Sequence, residues 1–228
     1  AQYGNVLLLS GSATEYAKLP QGLLDGCSDY TVCMDVRSDS EGNFFTFAAG
    51  QDENKYAFFK VAEDHFRFAT STDTWRGESG LRYDLDGTQW HQFVFVVNGA
   101  TARLYANGTL VSETTALTSL LSEMGTALNI YLGKSFYAED SGFSGAIDNV
   151  AVYRCALTPD EVQALSGLLG DINSDGRINA VDLSLAKRIV MGKAAYTDMA
   201  DVNRDGNVNL ADLVWYTKYL TGQTAVYP

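Results

Sequence analysis

Two stretches near the C-terminal end of the chain carry oxygen-bearing side chains at regular spacing. Each follows the pattern Asp-x-Asn-x-Asp-Gly-x-x-Asn-x-x-Asp, and the second copy begins 30 residues after the first. The side chains that can donate oxygen are Asp171, Asn173, Asp175, Asn179 and Asp182 in the first copy and Asp201, Asn203, Asp205, Asn209 and Asp212 in the second. Ca²⁺ is a hard cation that takes about six to eight oxygen ligands, so this spacing predicts a calcium site in each copy.

The remaining positions of each copy fit an EF-hand-type loop. Arg177 and Asn207 hold the position where a backbone carbonyl is the ligand. The glycine before each of them permits the positive φ that turns the backbone around the ion. However, the closing residue is Asp rather than Glu, and no helix of the expected kind precedes the first loop. A standard calcium sensor is therefore disfavoured, and we expect two Ca²⁺ ions in a module of another kind.

Each predicted loop is followed by apolar residues at helical spacing, which predict one helix in each repeat. The residues expected to pack the two repeats together are Leu183, Ala186, Val190, Leu213, Tyr216 and Leu220. This order of loop and helix resembles the dockerin module of cellulosomes, in which two "F-hand" repeats each pair a calcium loop with a helix. The resemblance covers about 53 residues, from about Gly170 to Gly222, with repeats at 171–192 and 201–222, and it implies a small all-α domain that we place at 167–228.

The dockerin resemblance also implies a partner and a location. Dockerins bind cohesin domains on a scaffoldin, so we expect a secreted, extracellular protein of a cell-surface cellulosome. The cohesin-contacting positions of the family fall on Ala180, Val181, Lys187, Arg188 and Gly192 in the first repeat and on Leu210, Ala211, Thr217, Lys218 and Gly222 in the second. The two sets differ in charge and size, which favours one preferred orientation on the cohesin.

Residues 1–166 predict an all-β sandwich. Short segments rich in β-formers and bounded by turn residues are Val6–Ser10, Tyr30–Arg37, Phe44–Ala49, Tyr56–Val61 and Phe66–Thr70. Asn98-Gly99 and Asn107-Gly108 then divide residues 90–114 into three strands, each with the signal of a two-residue type I′ hairpin turn. Thr158 and Pro159 predict the N-cap and first residue of a helix. We place the domain boundary near Gly167.

Several segments of this first domain resemble the laminin-G-like, concanavalin-type jelly rolls. They are Tyr16–Leu24, Ser28–Val36, Thr88-Gln89-Trp90-His91 and Gly145–Tyr153 with Ala156-Leu157. The fold serves both binding modules and enzymes, so it does not by itself decide the function. Asp148 matches an acid that helps to hold a structural Ca²⁺ in similar jelly rolls. Because only this one ligand can be carried over, the sequence leaves a third calcium ion open.

Charge and hydropathy limit the partners of the protein. Its formal net charge is −12, and residues 1–169 hold 21 of the 28 acidic side chains against 10 of the 16 basic ones. Such a domain repels phosphate backbones, so we expect no nucleic acid and regard a neutral glycan as a better ligand than a polyanion. The chain has no apolar run of about 18 residues, so we expect no membrane span.

Catalysis finds little support in the sequence. Retaining glycosidases need two carboxylates about 5 to 5.5 Å apart, and no predicted strand carries the alternating Glu-x-Asp-x-Glu pattern that would supply them. We therefore predict a non-catalytic carbohydrate-binding module of a plant-polysaccharide-degrading system, which a larger enzyme could contain. A glycoside hydrolase or polysaccharide lyase of unfamiliar design and a protein-binding adhesion module remain the alternatives.

Sugar-binding sites use aromatic faces to stack on the CH groups of a ring and polar planar groups to bridge hydroxyls. Trp75 and Arg76 lie together in a polar segment where a buried indole would be hard to explain, so they are our leading ligand contacts. Tyr83 and Tyr137 lie in or beside predicted loops and are further candidates. The simpler interpretation of all four is ordinary loop packing.

Overall fold

The computed structural model describes residues 6–39, 45–166, 169–173 and 177–224. Its strands are β1 Leu7–Ser10, β2 Ala17–Leu19, β3 Asp29–Ser38, β4 Phe45–Asp52, β5 Lys55–Val61, β6 His65–Ser71, β7 Ser79–Asp84, β8 His91–Asn98, β9 Thr101–Ala106, β10 Thr109–Thr114, β11 Asn129–Leu132 and β12 Ser144–Tyr153. Its helices are α1 Pro159–Ser166, α2 Ala180–Val190 and α3 Leu210–Leu220, with short 3₁₀ turns at Trp75–Gly77, Leu121–Glu123 and Asp198–Ala200.

The strands form two antiparallel six-stranded sheets, in the orders β1-β12-β3-β8-β9-β10 and β2-β11-β4-β5-β6-β7. We call them the first and the second sheet. Aromatic side chains from both meet in the core, where the ring of Phe95 lies 5.2 Å from that of Phe59 and 5.4 Å from that of Phe47. Alternation along each strand buries one face against the other sheet. The predicted jelly-roll sandwich is confirmed.

The two asparagine–glycine turns differ from each other. Asn107 and Gly108 both have positive φ, as the predicted type I′ turn requires. In the other hairpin Asn98 pairs with Thr101, so the two-residue turn is Gly99-Ala100 and only Gly99 has positive φ. The type I′ prediction at Asn98-Gly99 is therefore wrong by one residue. Asn98 is still paired within the β8–β9 ladder, and Gly99 takes the first central position of the turn, where positive φ is typical of type II′.

The chain divides into two compact units between Thr158 and Pro159. Helix α1 begins at Pro159, as the sequence predicts, and belongs to the second unit. The predicted boundary at Gly167 lies outside the described residues. In the second unit Ala186, Val202 and Tyr216 form a buried cluster, against which Leu183 and Leu213 pack. The Tyr216 hydroxyl donates to the carbonyl oxygen of Gly170 at 3.1 Å.

Candidate functional site

The second loop, residues 201–212, precedes α3 and has its carboxylates turned inward. Asp201 and Asp212 at the two ends of the loop are both fully buried. Asp201 accepts hydrogen bonds from the backbone N–H groups of Asp205 at 3.2 Å and Gly206 at 2.9 Å. Gly206 has φ 86°, which an L side chain rarely adopts, and this turn brings the N–H groups to the acid.

Asp212 connects the loop to the helix. Its two carboxylate oxygens accept from the backbone N–H groups of Asn203 at 3.2 Å and Asn209 at 2.8 Å. Asn209 is the N-cap of α3, where its side chain accepts from the N–H of Ala211, so Asn209 and Asp212 form a capping box. An Asp at the closing position therefore fixes both the loop backbone and the helix start.

The electrostatics of this loop fit a cation. Burial, reinforced by the nearby Asp212 and Asp205 carboxylates, raises the pKa of Asp201 to about 6, and burial likewise raises the pKa of Asp212. Among the described residues, no Lys, Arg or His nitrogen lies within 4.0 Å of either carboxylate. A divalent cation is the species that would neutralise buried acids placed in this way.

The described part of the first loop, residues 171–173 and 177–182, makes the same kinds of hydrogen bonds as the second loop. Asp171 and Asp182 are buried, and Asp182 accepts from the N–H groups of Ile172 at 2.8 Å and Asn179 at 2.9 Å. Asn179 caps α2 through the N–H of Val181, in the same capping box. Asp175 lies outside the described residues. The bonds shared by both loops indicate the same local structure in each repeat.

In the described part of the chain, no three His, Cys, Asp or Glu side chains are gathered closely enough to hold a metal ion. The predicted ligand set is not made of acids alone, and Asp175 lies outside the described residues. The Asn203 amide donates to Asp205 at 2.9 Å, while the carboxylates at the loop ends bond to backbone N–H groups. The predicted set draws on amide and carbonyl oxygens as well as acids, and bound Ca²⁺ would supply the positive charge that draws these oxygens together.

The predicted cohesin-contacting positions lie along one face of each helix. Nine are exposed, and they are Ala180, Val181, Lys187, Arg188, Gly192, Leu210, Ala211, Thr217 and Gly222. The tenth, Lys218, is half-buried because its ammonium lies 4.4 Å from the centre of the Trp215 ring. Leu210 is 70% exposed, whereas the matching Ala180 offers only a methyl group. The faces of α2 and α3 therefore differ in shape. They also differ in charge exposure, because Lys187 and Arg188 on α2 are exposed whereas Lys218 on α3 is half-buried.

In the sandwich, Trp75 stands on a 3₁₀ turn between β6 and β7. Its side chain is 62% exposed, and the Arg76 guanidinium lies 5.3 Å from its ring centre. Thr74 before it has φ 49°, a strained value for a β-branched residue. The turn is held by Ser71, whose hydroxyl donates to the Thr74 carbonyl. Strained backbone of this kind clusters at functional sites, and Trp75 and Arg76 stay predicted ligand contacts.

Tyr137 belongs to a group that the sequence did not reveal, on the outer face of the second sheet. This face carries Tyr56, Phe58 and Ala69, against which Phe136 and Tyr137 pack. The hydroxyls of Tyr56 and Tyr137 are 3.0 Å apart, and Tyr56 donates to Glu78 at 2.6 Å. Glu78 also pairs with Arg67. No sequence pattern could have found this group, because its members come from four separate segments.

The other two candidates lie in different places. Tyr83 packs against the sandwich core and is only partly exposed, which makes it the weakest of the four predicted sugar contacts. Asp148 lies directly opposite Asp35 across β12 and β3. It accepts from the N–H of Asn149, whose side-chain amide donates to Asp35 at 2.7 Å. The third calcium ion stays a prediction.

Comparison with protein families decides the class of the first unit. A family model described as the concanavalin A-like lectin/glucanases superfamily (laminin G type) matches residues 10–163. The chain belongs to this superfamily. A model of the dockerin type I domain matches residues 169–221, so the C-terminal module is a dockerin. Dockerin type I domains bind calcium and occur in extracellular cellulosome proteins, and a dockerin implies cohesin binding of the cellulosome type.

Similar proteins act on or bind carbohydrates. An α-L-arabinofuranosidase of Bifidobacterium longum is 30% identical over 189 residues, which cover 73% of this chain. The chain spans only 18% of the length of that enzyme. Domain 4 of the arabinanase AbnA from Geobacillus stearothermophilus, solved with arabinotriose, has a TM-score of 0.60 at 21% identity, covering 73% of this chain and 79% of that one.

A further similar structure is the CBM40 module of a Ruminococcus gnavus sialidase with α2,3-sialyllactose. It has a TM-score of 0.55 at 16% identity, covering 67% of this chain and 96% of that one. At such identities the likeness shows the fold of the sandwich alone. Within the described residues, none of the helices has the length and hydropathy that a membrane span needs.

Removing calcium should unfold the dockerin and spare the sandwich. Without the ion, the buried acids at the loop ends repel one another and their burial is uncompensated. We expect excess chelator to abolish slow amide exchange in α2 and α3 while the strands of the core stay protected, as hydrogen-exchange mass spectrometry of the full chain would show. Excess magnesium without calcium serves as the control. Unchanged protection of both helices in chelator would contradict the interpretation.

Proposed function

We propose that the protein is a secreted, non-catalytic component of a cellulosome. Its dockerin binds two Ca²⁺ ions and docks onto a scaffoldin cohesin, while its sandwich binds a neutral plant cell-wall polysaccharide. The observation that carries the proposal is the pair of loop–helix repeats, which share the same buried acids and the same capping boxes. The domains are proposed to be 1–166 and 167–228.

In the dockerin, the residues that would hold calcium are the oxygen donors of the two loops together with the carbonyls of Arg177 and Asn207. Bound Ca²⁺ would supply the charge that stabilises the loops and thereby the positions of α2 and α3. The chain's own contribution is the capping box at Asn179 and at Asn209, which starts each helix inside its loop, just ahead of the closing Asp. The exposed face of each helix is then presented as a rigid surface.

For the sandwich, arabinose-containing polysaccharide is the ligand that we propose first. The curated relative is an arabinofuranosidase, and the arabinanase domain was solved with arabinotriose. Arabinan is neutral, which suits a domain with an excess of acidic side chains. Trp75 offers an exposed ring for stacking, and Arg76 beside it offers donors for hydroxyl groups.

Replacing Trp75 should remove most of the glycan affinity. The Trp75→Ala variant loses the stacking surface, and a loss of tenfold or more, about 1.4 kcal/mol, is expected from an exposed aromatic anchor. Isothermal titration of the full chain with linear arabinan would measure it. Leu8→Ala, which also truncates an exposed apolar side chain, is the matched control and should bind like the wild type. Equal affinity of Trp75→Ala and wild type would remove Trp75 from the site.

Cohesin binding should require calcium and should depend unequally on the two repeats. We expect recombinant type I cohesins to retain the full chain in calcium and to release it in chelator, as surface plasmon resonance would show. Arg188→Glu and Lys218→Glu change the same position in the two helices, so each is the other's matched control. One preferred orientation predicts that one variant loses at least tenfold more affinity than the other. Equal losses would indicate two interchangeable orientations.

A further inference from the structure

Three basic residues form a row across the outer face of the second sheet. Lys60 on β5 lies directly opposite Arg67 on β6, which lies directly opposite Arg82 on β7. We call these three residues the cationic row. Like charges placed directly opposite each other on neighbouring strands are destabilising. The row is also unexpected in a chain with a formal net charge of −12.

The ion pairs of the row are unevenly distributed. Arg67 pairs with Glu78, and Arg82 pairs with Asp84 at 2.9 Å. In the described part of the chain, no carboxylate oxygen lies within 4.0 Å of the Lys60 ammonium. Burial and the neighbouring Arg67 lower the pKa of Lys60. Lys60 is therefore a half-buried cation with no ion pair among the described residues, and the Glu78 and Asp140 carboxylates act on its pKa only from a greater distance, in the opposite direction.

Lys60 and Arg67 also share an aromatic neighbour. The Lys60 ammonium lies 5.5 Å from the centre of the Phe58 ring, and the Arg67 guanidinium lies 5.3 Å from it. These contacts hold both cations close to the sheet surface. The Glu78 side chain is only 9% exposed, whereas that of Arg67 is 34% exposed. The Arg67 guanidinium can therefore donate hydrogen bonds to a molecule in solvent, while the Glu78 carboxylate behind it is mostly buried.

This group is connected to the turn that carries Trp75. Glu78 follows Trp75 by three residues, and its second oxygen accepts from Tyr56 at the other end of β5. Tyr56 is opposite Ser71, where that turn begins. At about 3.3 Å per residue, Tyr56 and Lys60 are roughly 13 Å apart along the strand, a length that suits a few sugar units. Tyr56 and Phe58, between the Trp75 turn and Lys60, are fully buried, with Phe136 and Tyr137 packed against them, so a glycan that stacks on Trp75 would reach Lys60 by passing over those two aromatic side chains.

We propose that Lys60, Arg67 and Glu78 form a subsite that hydrogen-bonds adjacent hydroxyl groups of a neutral glycan, in the same site as Trp75. The inference rests on the proposed polysaccharide-binding function. Two cationic donors side by side match the acceptor lone pairs of two neighbouring hydroxyls, and Glu78, which already bonds to Tyr56 and Arg67, holds Arg67 in position. The unpaired cation and the like-charge neighbours then have a role in recognition that they lack in stability.

The test is Lys60→Met, which keeps the length of the side chain and removes the ammonium. We expect affinity for arabinotriose, measured by isothermal titration of the full chain, to fall about tenfold or more, the loss expected for a hydrogen bond to a charged group. The Tm should stay unchanged or rise, because the repulsion with Arg67 disappears. Lys60→Arg should recover part of the affinity. Lys55→Met, on the same strand but outside the row, should bind like the wild type.

The outcomes separate the inference from the function on which it rests. If the wild-type chain binds arabinotriose and Lys60→Met binds it with the same affinity, the inference is overturned and the proposed function stays in place. A fall in Tm that accompanies the loss of affinity would assign Lys60 a structural role and also overturn it. Absence of arabinotriose and arabinan binding by the wild-type chain would overturn both. Loss of affinity with an unchanged or higher Tm supports the subsite.

Discussion

The dockerin depends on carboxylates that the fold buries at both ends of each calcium loop. Asp201 and Asp212 are held by backbone N–H groups, and no basic side chain of the described residues compensates them. Hydrogen bonds alone leave the charge in a poorly solvated place, which burial makes unfavourable. Bound calcium would resolve this conflict, and the closing Asp of each loop lies in the first turn of the helix that follows. Metal, loop and docking surface are therefore one structural unit.

The sandwich reaches its stability in a different way, through a dry aromatic core between two sheets. Phe59, Phe66 and Phe68 face Phe93 and Phe95, so the inner faces alone fill the interior. The outer face of the second sheet lies apart from this core: there Tyr56 and Phe58 pack against Phe136 and Tyr137, and the charged pair of Arg67 and Glu78 lies beside them. This separation explains how half-buried charges can persist beside the Trp75 turn.

Much of this structure could be predicted from local signals. The two loop–helix repeats, the start of α1 at Pro159 and the turn at Asn107-Gly108 follow from residue types at fixed offsets, because each depends on neighbours in the chain. The turn at Gly99-Ala100 lies one residue later than predicted, because Asn98 pairs with Thr101 on the neighbouring strand. The group around Glu78 could not be predicted, because it joins distant segments through strand register that no local pattern encodes.

The most direct test of the account is to count the calcium ions that the intact chain binds. Native mass spectrometry in calcium should find at least two ions on the wild-type chain, and one ion fewer on a variant with Asp201→Ala and Asp212→Ala, since the first loop is unchanged. The exposed Asp160→Ala should keep both. A wild-type chain that carries no calcium, or a double variant that carries as many ions as the wild type, would contradict the claim that each loop encloses one ion.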